Sequence, residues 1–136
     1  MVSVDQNIRY TYTQFYEVTE HAARALLAMG IVNGDRVGIW APNRAEWVIL
    51  QFATARIGAI MVTINPAYRV HELEYVLNQS EINAVFASLK FKTSHYKNML
   101  EEVKDKTPSL EHIVIFEEQW DTFLGQKKKV SKFQLD

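Results

Sequence analysis

Residues 43–68, NRAEWVILQFATARIGAIMVTINPAY, contain the longest apolar window of the sequence. The first part predicts a helix from about residue 44 to 57 that ends at Gly58, and the second predicts a strand at residues 59–64, followed by an Asn-Pro turn. Apolar residues occupy nearly every side of both segments, and such elements have to be covered on nearly every side. We therefore predict that this stretch lies in the middle of a layered α/β domain.

The bulk composition is that of one ordinary globular domain. The chain has 136 residues, of which 48% are hydrophobic and 23% are charged, values that argue against disorder. The net charge of −1 gives no electrostatic reason to expect nucleic acid as a partner. The absence of cysteine excludes disulfides, thiolate metal sites and a cysteine nucleophile.

Neither a membrane segment nor a signal peptide is expected. The window at residues 45–64 is long enough to cross a bilayer, but it contains Glu46, Gln51, Arg56 and the helix-ending Gly58, so a buried core is the better interpretation. The opening residues, MVSVDQNIRY, have neither a basic flank nor an apolar centre, so they do not resemble a signal peptide.

The rest of the chain extends the α/β pattern in both directions. Residues 1–12 predict a β-hairpin around Asp5-Gln6-Asn7, and Thr13 is the predicted N-cap of a helix that runs to about Met29. Four β-α repeats follow within residues 13–116, with strands predicted at residues 36–40, 59–64, 83–87 and 112–116. The short connections favour a doubly wound, mainly parallel sheet with helices on both faces and strand order 2-1-3-4. Residues 117–136 are predicted to be an irregular tail in which Trp120, Phe123 and Leu124 favour burial.

Motifs that carry chemistry are scarce. Neither G-x-x-x-x-G-K-[ST] nor G-x-G-x-x-G occurs, and no histidine has a second one four residues later. His71-Glu72-Leu73-Glu74 has ligand-like residues but no third donor, so a solvated helix start is the preferred interpretation. We name no catalytic residue and no metal ligand. Trp40 and Trp47 are assigned to the core rather than to base stacking.

The lysines Lys90, Lys92 and Lys97 form the one suggestive basic cluster. They follow the strand at residues 83–87, and open α/β sheets bind ligands at the carboxyl ends of their strands. A lysine there is a point charge for a phosphate. The alternative is a solvated loop balanced by Glu101 and Glu102.

Several short segments, in order, resemble the start of an AMP-forming acyl-CoA synthetase. They are residues 10–15 (YTYTQF), 34–39 (GDRVGI), Pro42-Asn43, Glu46-Trp47, 55–60 (ARIGAI) and 65–68 (NPAY). Residues 65–68, with 71–77 (HELEYVL) after them, are especially similar to the medium- and long-chain fatty acyl-CoA synthetase branch. The resemblance covers about residues 2–116.

The resemblance implies part of a large N-terminal domain. The parent enzyme would use ATP, Mg²⁺ and CoA to turn a fatty acid into an acyl-adenylate and then a thioester. The family's phosphate loop, magnesium-binding glutamate and catalytic lysine lie downstream and are absent here, so we expect the chain alone to be inactive and to bind none of these ligands tightly. By resemblance, Asn65, Pro66 and Ala67 line the pantetheine channel, and Lys90 and Lys92 face the phosphates of CoA.

Two alternatives stay open. In the first, the chain is a stand-alone nucleotide- or CoA-binding module. In the second, it is a structural or dimerising domain that associates through exposed interdomain apolar surface, and Trp120, Phe123 and Leu124 are the candidates for that surface. The expected partners are otherwise the rest of the parent chain and its fatty acid substrate. The expected compartment is the cytoplasm, with the mitochondrial matrix as the alternative.

Overall fold

The computed structural model describes residues 2–3, 8–9, 11–41, 45–90 and 94–129. The strands are β1 (Val2–Ser3), β2 (Ile8–Arg9), β3 (Arg36–Trp40), β4 (Ile60–Thr63), β5 (Ala84–Ala87) and β6 (His112–Ile115). The helices are α1 (Tyr12–Ala28), α2 (Ala45–Ile57), α3 (Val70–Gln79), α4 (Tyr96–Val103) and α5 (Phe116–Gly125). Short 3₁₀ turns follow at Lys104–Lys106 and Gln126–Lys129. The turn at Asp5-Gln6-Asn7, the Pro42-Asn43 pair, Lys92 and residues 130–136 lie outside the described residues.

The predicted N-terminal hairpin is confirmed by an antiparallel pair of strands. Val2 of β1 lies opposite Arg9 of β2, and Ser3 lies opposite Ile8. The pair forms a two-stranded sheet of its own, separate in hydrogen bonding from the larger sheet.

The main sheet has four parallel strands in the order β4-β3-β5-β6. This is the order that the repeat pattern predicts, with the strand at residues 36–40 inside the sheet. β3 comes first in the chain, β4 lies on one side of it, and the chain then crosses to place β5 on the other side. The winding direction therefore reverses between β3 and β5, which makes that gap the topological switch point of the fold.

Helices cover both faces of this sheet, as predicted for a doubly wound fold. On one face α1, α2 and α5 enclose a core to which the strands contribute Val37, Ile39 and Phe86. On the other face α3 and α4 enclose a second core around Trp40 and Val85. Successive strand residues alternate between these two cores because side chains alternate across a strand.

The cap of α1 differs from the prediction by two residues. Thr11, not Thr13, is the N-cap: its hydroxyl oxygen accepts a hydrogen bond from the Gln14 amide at 3.1 Å, and Gln14 Oε1 accepts one from the Thr11 amide at 3.0 Å. This reciprocal pair of hydrogen bonds is a capping box. Its position is hard to predict from sequence because Thr11 and Thr13 are only two residues apart. At the ends of α1 and α2, Gly30 and Gly58 have positive φ angles of 93° and 78°, as predicted for helix-ending glycines.

The prediction that residues 43–68 are covered on nearly every side is wrong for this chain. Among the described strands β4 is at the edge of the sheet, so one side of its backbone has no strand beside it there, and Ile60 is 47% exposed. On α2, Ile49, Leu50 and Ala53 are buried, but Phe52 is 55% exposed and Trp47 is only partly buried. A sequence period cannot tell a central strand from an edge strand when both are apolar.

The predicted irregular tail is instead helical through residue 129. α5 and the following 3₁₀ turn pack against α1 and β6, and Phe123 is buried at 2% exposure. Trp120 and Leu124 are partly buried on the same core. These three residues are therefore part of the core and not an exposed interdomain surface, because the helix turns its aromatic side toward Phe86 and Phe116.

None of the helices in the described part of the chain is long and apolar enough to cross a bilayer.

Candidate functional site

The carboxyl ends of β3, β4, β5 and β6 meet at one edge of the sheet because the four strands are parallel. Two loops there carry the predicted site residues. Asn65, Pro66 and Ala67 follow β4, while Ser88, Leu89 and Lys90 follow β5. Their strands flank β3 on opposite sides, so the two loops are roughly 10 Å apart at their bases, two strand spacings.

The loop after β4 is a tight turn held by its own asparagine. Asn65 Oδ1 accepts a hydrogen bond from the Ala67 amide at 2.9 Å, and the Asn65 carbonyl accepts one from the Tyr68 amide at 3.1 Å. Proline at the second position of such a turn fixes its backbone. Asn65 and Ala67 are exposed, so the turn is rigid and open to a ligand on its outer side.

Two buried aromatic residues hold this turn from behind. Trp40 Nε1 donates to the Asn65 carbonyl at 2.9 Å, and the Tyr96 hydroxyl donates to the Pro66 carbonyl. The two rings stack with centroids 3.7 Å apart and planes 12° from parallel. Consecutive carbonyls of the turn are therefore anchored by one residue of β3 and one of α4, which fixes the turn relative to the switch point.

Burial keeps the Tyr96 hydroxyl a donor. It raises the pKa of Tyr96 to about 12, because an anionic phenolate is disfavoured in an apolar setting. The hydroxyl therefore retains its proton at any physiological pH, and the bond to the Pro66 carbonyl persists.

Trp40 and Tyr96 are the site residues that sequence reasoning missed. Trp40 was assigned to packing, which is correct as far as its ring is concerned. The polar atoms of both residues reach partners 25 and 30 residues away along the chain. An aromatic residue next to a loop gives no local sign of such a partner, so only the folded structure could reveal the anchoring.

The described lysines of the predicted cluster, Lys90 and Lys97, differ in their surroundings. Lys90 is exposed at the carboxyl end of β5, while Lys92 lies outside the described residues. Lys97 belongs to an ion pair, since its Nζ lies 2.8 Å from Glu118 Oε1. The hydrogen bond to Glu118, with the attraction of its charge, raises the pKa of Lys97. Glu118 is thus the close carboxylate partner, where Glu101 and Glu102 had been expected.

Glu117 fastens the loop after β5 to the start of α5. Its two carboxylate oxygens lie 3.1 and 3.2 Å from the Leu89 amide, which donates to them. Lys97 also donates its backbone amide to the Leu89 carbonyl at 3.4 Å. The loop is therefore held by both α4 and α5, and Lys90 projects from a fixed base.

Ser88 is the buried polar residue at the switch point. It is 2% exposed, and its amide donates to the Trp40 carbonyl at 3.3 Å. Within the part of the chain that the structure describes, its Oγ has no hydrogen-bond partner. Among the described residues no three His, Asp or Glu side chains lie together in a way that could hold a metal ion. What the edge offers is an open rigid turn, an exposed lysine and a buried hydroxyl.

A doubly wound parallel sheet with loops at its carboxyl edge is an architecture of ligand-binding α/β proteins. The model of the AMP-binding enzyme family matches residues 1–134. The chain belongs to the AMP-binding enzyme family.

Named relatives are acyl-CoA ligases. The chain is 48% identical over 103 residues to the mitochondrial medium-chain acyl-CoA ligase ACSF2 of Danio rerio. The match covers 76% of this chain and 17% of that protein. The chain therefore spans about one sixth of that relative's length.

Solved structures share the fold. A fatty acyl CoA synthetase of Mycobacterium tuberculosis superposes with a TM-score of 0.77 at 22% identity, over 94% of this chain and 24% of that one. The N-terminal domain of FACL13 from the same organism gives 0.78 at 22% identity, over 96% and 32%. The predicted doubly wound α/β fold of an acyl-CoA synthetase N-terminal domain is confirmed.

Proposed function

We propose that this chain is a segment of an AMP-forming fatty acyl-CoA synthetase, within the large N-terminal domain of that enzyme. The match of the family model over residues 1–134 carries the proposal. The ligase relative, whose printed name specifies medium-chain acyl groups, supports a fatty acid as the substrate. The parent enzyme uses ATP, Mg²⁺ and CoA, and this segment forms scaffold and one wall of the CoA approach.

The activity of the parent and the inactivity of the segment are tested together. We expect no fatty-acid-dependent ATP–pyrophosphate exchange by the 136-residue chain and clear exchange by the product of the longer reading frame that contains it. Adenylate formation needs a phosphate cradle, and neither phosphate-loop pattern occurs in this sequence. Exchange by the 136-residue chain would overturn the assignment of the chemistry to other parts of the enzyme.

Asn65, Pro66, Ala67, Lys90 and Lys92 are our proposed contacts for CoA. The turn at 65–67 is rigid and exposed, which suits a channel wall for the pantetheine arm. Lys90 is an exposed cation at the carboxyl edge of the sheet, where a phosphate would find it. Trp40 and Tyr96 act behind the turn as positioning residues.

The CoA contacts are tested in the active, longer product. Lys90→Ala and Lys92→Ala together should raise the KM for CoA and leave the KM for ATP unchanged. Lys106→Ala is the matched control, because Lys106 lies next to Glu74, at 4.0 Å, after α4 and away from this edge. An equal change in both KM values, or none in either, contradicts the proposed contacts.

A stand-alone CoA- or nucleotide-binding module is the second candidate. The exposed lysine and rigid turn at the switch edge favour it, because they are present in this chain without any other domain. Saturable binding of CoA to the 136-residue chain, weakened by Lys90→Ala, would favour this module. Linear, unsaturated binding of CoA would favour the proposal that the chain is a segment of a larger enzyme.

Self-association of the 136-residue chain is proposed through the groove between α1 and α2. Tyr12, Tyr16 and Phe52 are exposed there and line a cavity of about 490 Å³, and exposed apolar patches promote association. Phe52→Ser should shift the chain toward monomer in sedimentation, while Tyr75→Ser on α3 should not. A strict monomer at high concentration contradicts this proposal.

The compartment follows from the parent and is also a proposal. The ACSF2 relative is named as mitochondrial, which favours the mitochondrial matrix over the cytoplasm. Fractionation of cells that express the longer product decides between the two.

A further inference from the structure

The register of the sheet places the loop after β5 beside the first turn of α5. Ala87 of β5 lies opposite Ile115 of β6. Leu89 and Glu117 each follow those two partners by two residues. Because α5 begins at Phe116, directly after the last residue of β6, the side chain of Glu117 starts from a fixed point next to Leu89.

Both main-chain groups of Leu89 are held from outside its own loop. The Leu89 amide donates to the two carboxylate oxygens of Glu117, at 3.1 and 3.2 Å, and the Leu89 carbonyl accepts from the Lys97 amide at 3.4 Å. A peptide group is planar, so the bond to the Leu89 carbonyl also restrains the amide and the Cα of Lys90. The two peptide groups that precede the Cα of Lys90 are therefore held, one by α5 and the other by α4.

The two helices that hold this loop are themselves joined. Lys97 Nζ on α4 lies 2.8 Å from Glu118 Oε1 on α5, and both side chains are 40% exposed. Gln119 Oε1 accepts a hydrogen bond from the Ile115 amide at 2.8 Å, which ties the first turn of α5 to the end of β6. An ion pair this exposed adds little stability, so the consequence of these contacts is a defined geometry at the carboxyl edge of the sheet.

We propose that Glu117 is a positioning residue for the nucleotide phosphates of CoA and that it acts through Lys90. This rests on the proposed function, in which Lys90 contacts those phosphates. Glu117 holds the residue immediately before Lys90 and so keeps the base of the lysine side chain in place. A preorganised base strengthens binding, because less conformational freedom is lost when the ammonium group meets a phosphate.

The sign of the charge on Glu117 separates positioning from a direct electrostatic effect. A carboxylate close to a phosphate repels it. If Glu117 acted on CoA by its charge, removing that charge would strengthen CoA binding. Positioning predicts the opposite dependence, in which the reach of the acceptor oxygen matters and its charge does not.

Two conservative variants of the active, longer product test this distinction. Glu117→Gln keeps the length of the side chain and an acceptor oxygen but loses the charge. Glu117→Asp keeps the charge but draws the carboxylate back by one methylene group. We expect Glu117→Asp to raise the KM for CoA about three- to tenfold and to leave the KM for ATP unchanged. Glu117→Gln should leave both KM values unchanged.

The matched control is a carboxylate at the other end of β6. Glu111 precedes β6, at the amino edge of the sheet, and its side chain is 70% exposed beside His112. Glu111→Asp should change neither KM. If Glu117→Asp does not fold by circular dichroism, Glu117→Ala, which removes the acceptor altogether, takes its place with the same expectation.

A double-mutant cycle tests whether Glu117 acts through Lys90. Once Lys90 is alanine, Glu117→Asp should cause no further rise in the KM for CoA, because a positioning residue has no effect without the group that it positions. Full multiplication of the two separate effects overturns the proposal. So does an equal rise in Glu117→Gln and Glu117→Asp, or a fall in either variant, since both results assign the effect to charge.

Hydrogen exchange at the Leu89 amide tests the contact itself in the 136-residue chain. Exchange should be faster in Glu117→Asp than in the unaltered chain and unchanged in Glu117→Gln. Equal exchange in all three proteins overturns the proposal, because the carboxylate then does not hold the loop.

Failure of this inference and failure of the proposed function give different results. If Lys90→Ala alone leaves the KM for CoA unchanged, the proposed contact between Lys90 and CoA is wrong, and the role of Glu117 falls with it. If Lys90→Ala raises that KM and Glu117→Asp does not, the CoA contact stands and only the positioning role of Glu117 is overturned.

Discussion

The centre of the sheet, strands β3 and β5, and the flank beside it, helix α2 and strand β4, are both apolar in sequence, yet their side chains differ in burial. In β3 and β5 the apolar side chains are at most 1% exposed, and Trp40 is completely buried. In the flank, formed by α2 and β4, Trp47 is partly buried, Phe52 is 55% exposed and Ile60 is 47% exposed. For Ile60 the difference follows from strand order, because a central strand has neighbours on both sides and β4 has one among the described strands.

The comparison also separates two uses of tryptophan. Trp40 packs against the second core and holds the turn after β4 through its indole nitrogen. Trp47 packs one side of α2 on the first core. The centre thus links stability to the candidate site, whereas the flank contributes packing and exposed apolar surface.

The largest expected effect is at the centre. Trp40→Ala should lower the free energy of unfolding by about 3–5 kcal/mol, because it leaves a large cavity and removes the bond to the Asn65 carbonyl. Urea denaturation followed by circular dichroism measures it. A loss below about 1 kcal/mol would show that the centre is no better packed than the surface.

A smaller effect is expected in the flank. Trp47→Ala should cost about 1–2 kcal/mol, since only part of the ring is removed from water in the folded chain. The same urea denaturation experiment measures this loss of unfolding free energy for comparison with that of Trp40→Ala. Equal losses for the two tryptophans would remove the distinction between centre and flank.

A smaller effect again is expected for the hydroxyl of Tyr96, on α4, whose ring stacks on Trp40 of the centre. Tyr96→Phe keeps the stacked ring and deletes the donor to the Pro66 carbonyl, at a cost of about 1 kcal/mol. Tyr75→Phe is the control, because Tyr75 is exposed on α3 and should change nothing. Indistinguishable stabilities of the two variants would show that the turn does not depend on its anchor.

The smallest effect is expected outside both regions, at the contact of α1 with the 3₁₀ turn after α5. Burial, followed by the charge of Lys127, lowers the pKa of His21 below 6.5, and Lys127 Nζ lies 3.2 Å from His21 Nδ1. Glu20 and Glu17 oppose this shift and Arg24 adds to it.

The sign of the pH effect follows from that lowered pKa. As the pH falls through 6.5, the unfolded chain binds a proton at His21 before the folded chain does, so stability is lost until the folded pKa is passed. Unfolding free energies measured between pH 8 and pH 5 should show this loss, and His21→Gln should remove that part of it. An unchanged pH profile in His21→Gln would contradict the lowered pKa.

Much of the fold could be predicted because it depends on local patterns. The helices, the parallel strands and their order follow from apolar periodicity, helix-ending glycines such as Gly58 and the short connections between elements. The turn itself could be predicted from its Asn-Pro sequence, whereas its role as a CoA contact rests on the family resemblance and stays a prediction. The helix at residues 116–125 was missed, because its polar residues Glu117, Glu118 and Gln119 hide the apolar side that faces Phe86.

The sequence by itself determined the family, the doubly wound sheet and the position of the candidate loops, since each depends on the order of residues along the chain. Only the tertiary structure decided which apolar strands are central, that Trp40 and Tyr96 hold the turn from behind, and that Glu118 pairs with Lys97. The physical reason is the same in each case: burial and hydrogen bonding depend on neighbours that are distant in sequence. Residues 43–68 illustrate both, since their pattern identifies the helix and strand while their place at the sheet edge sets the exposure.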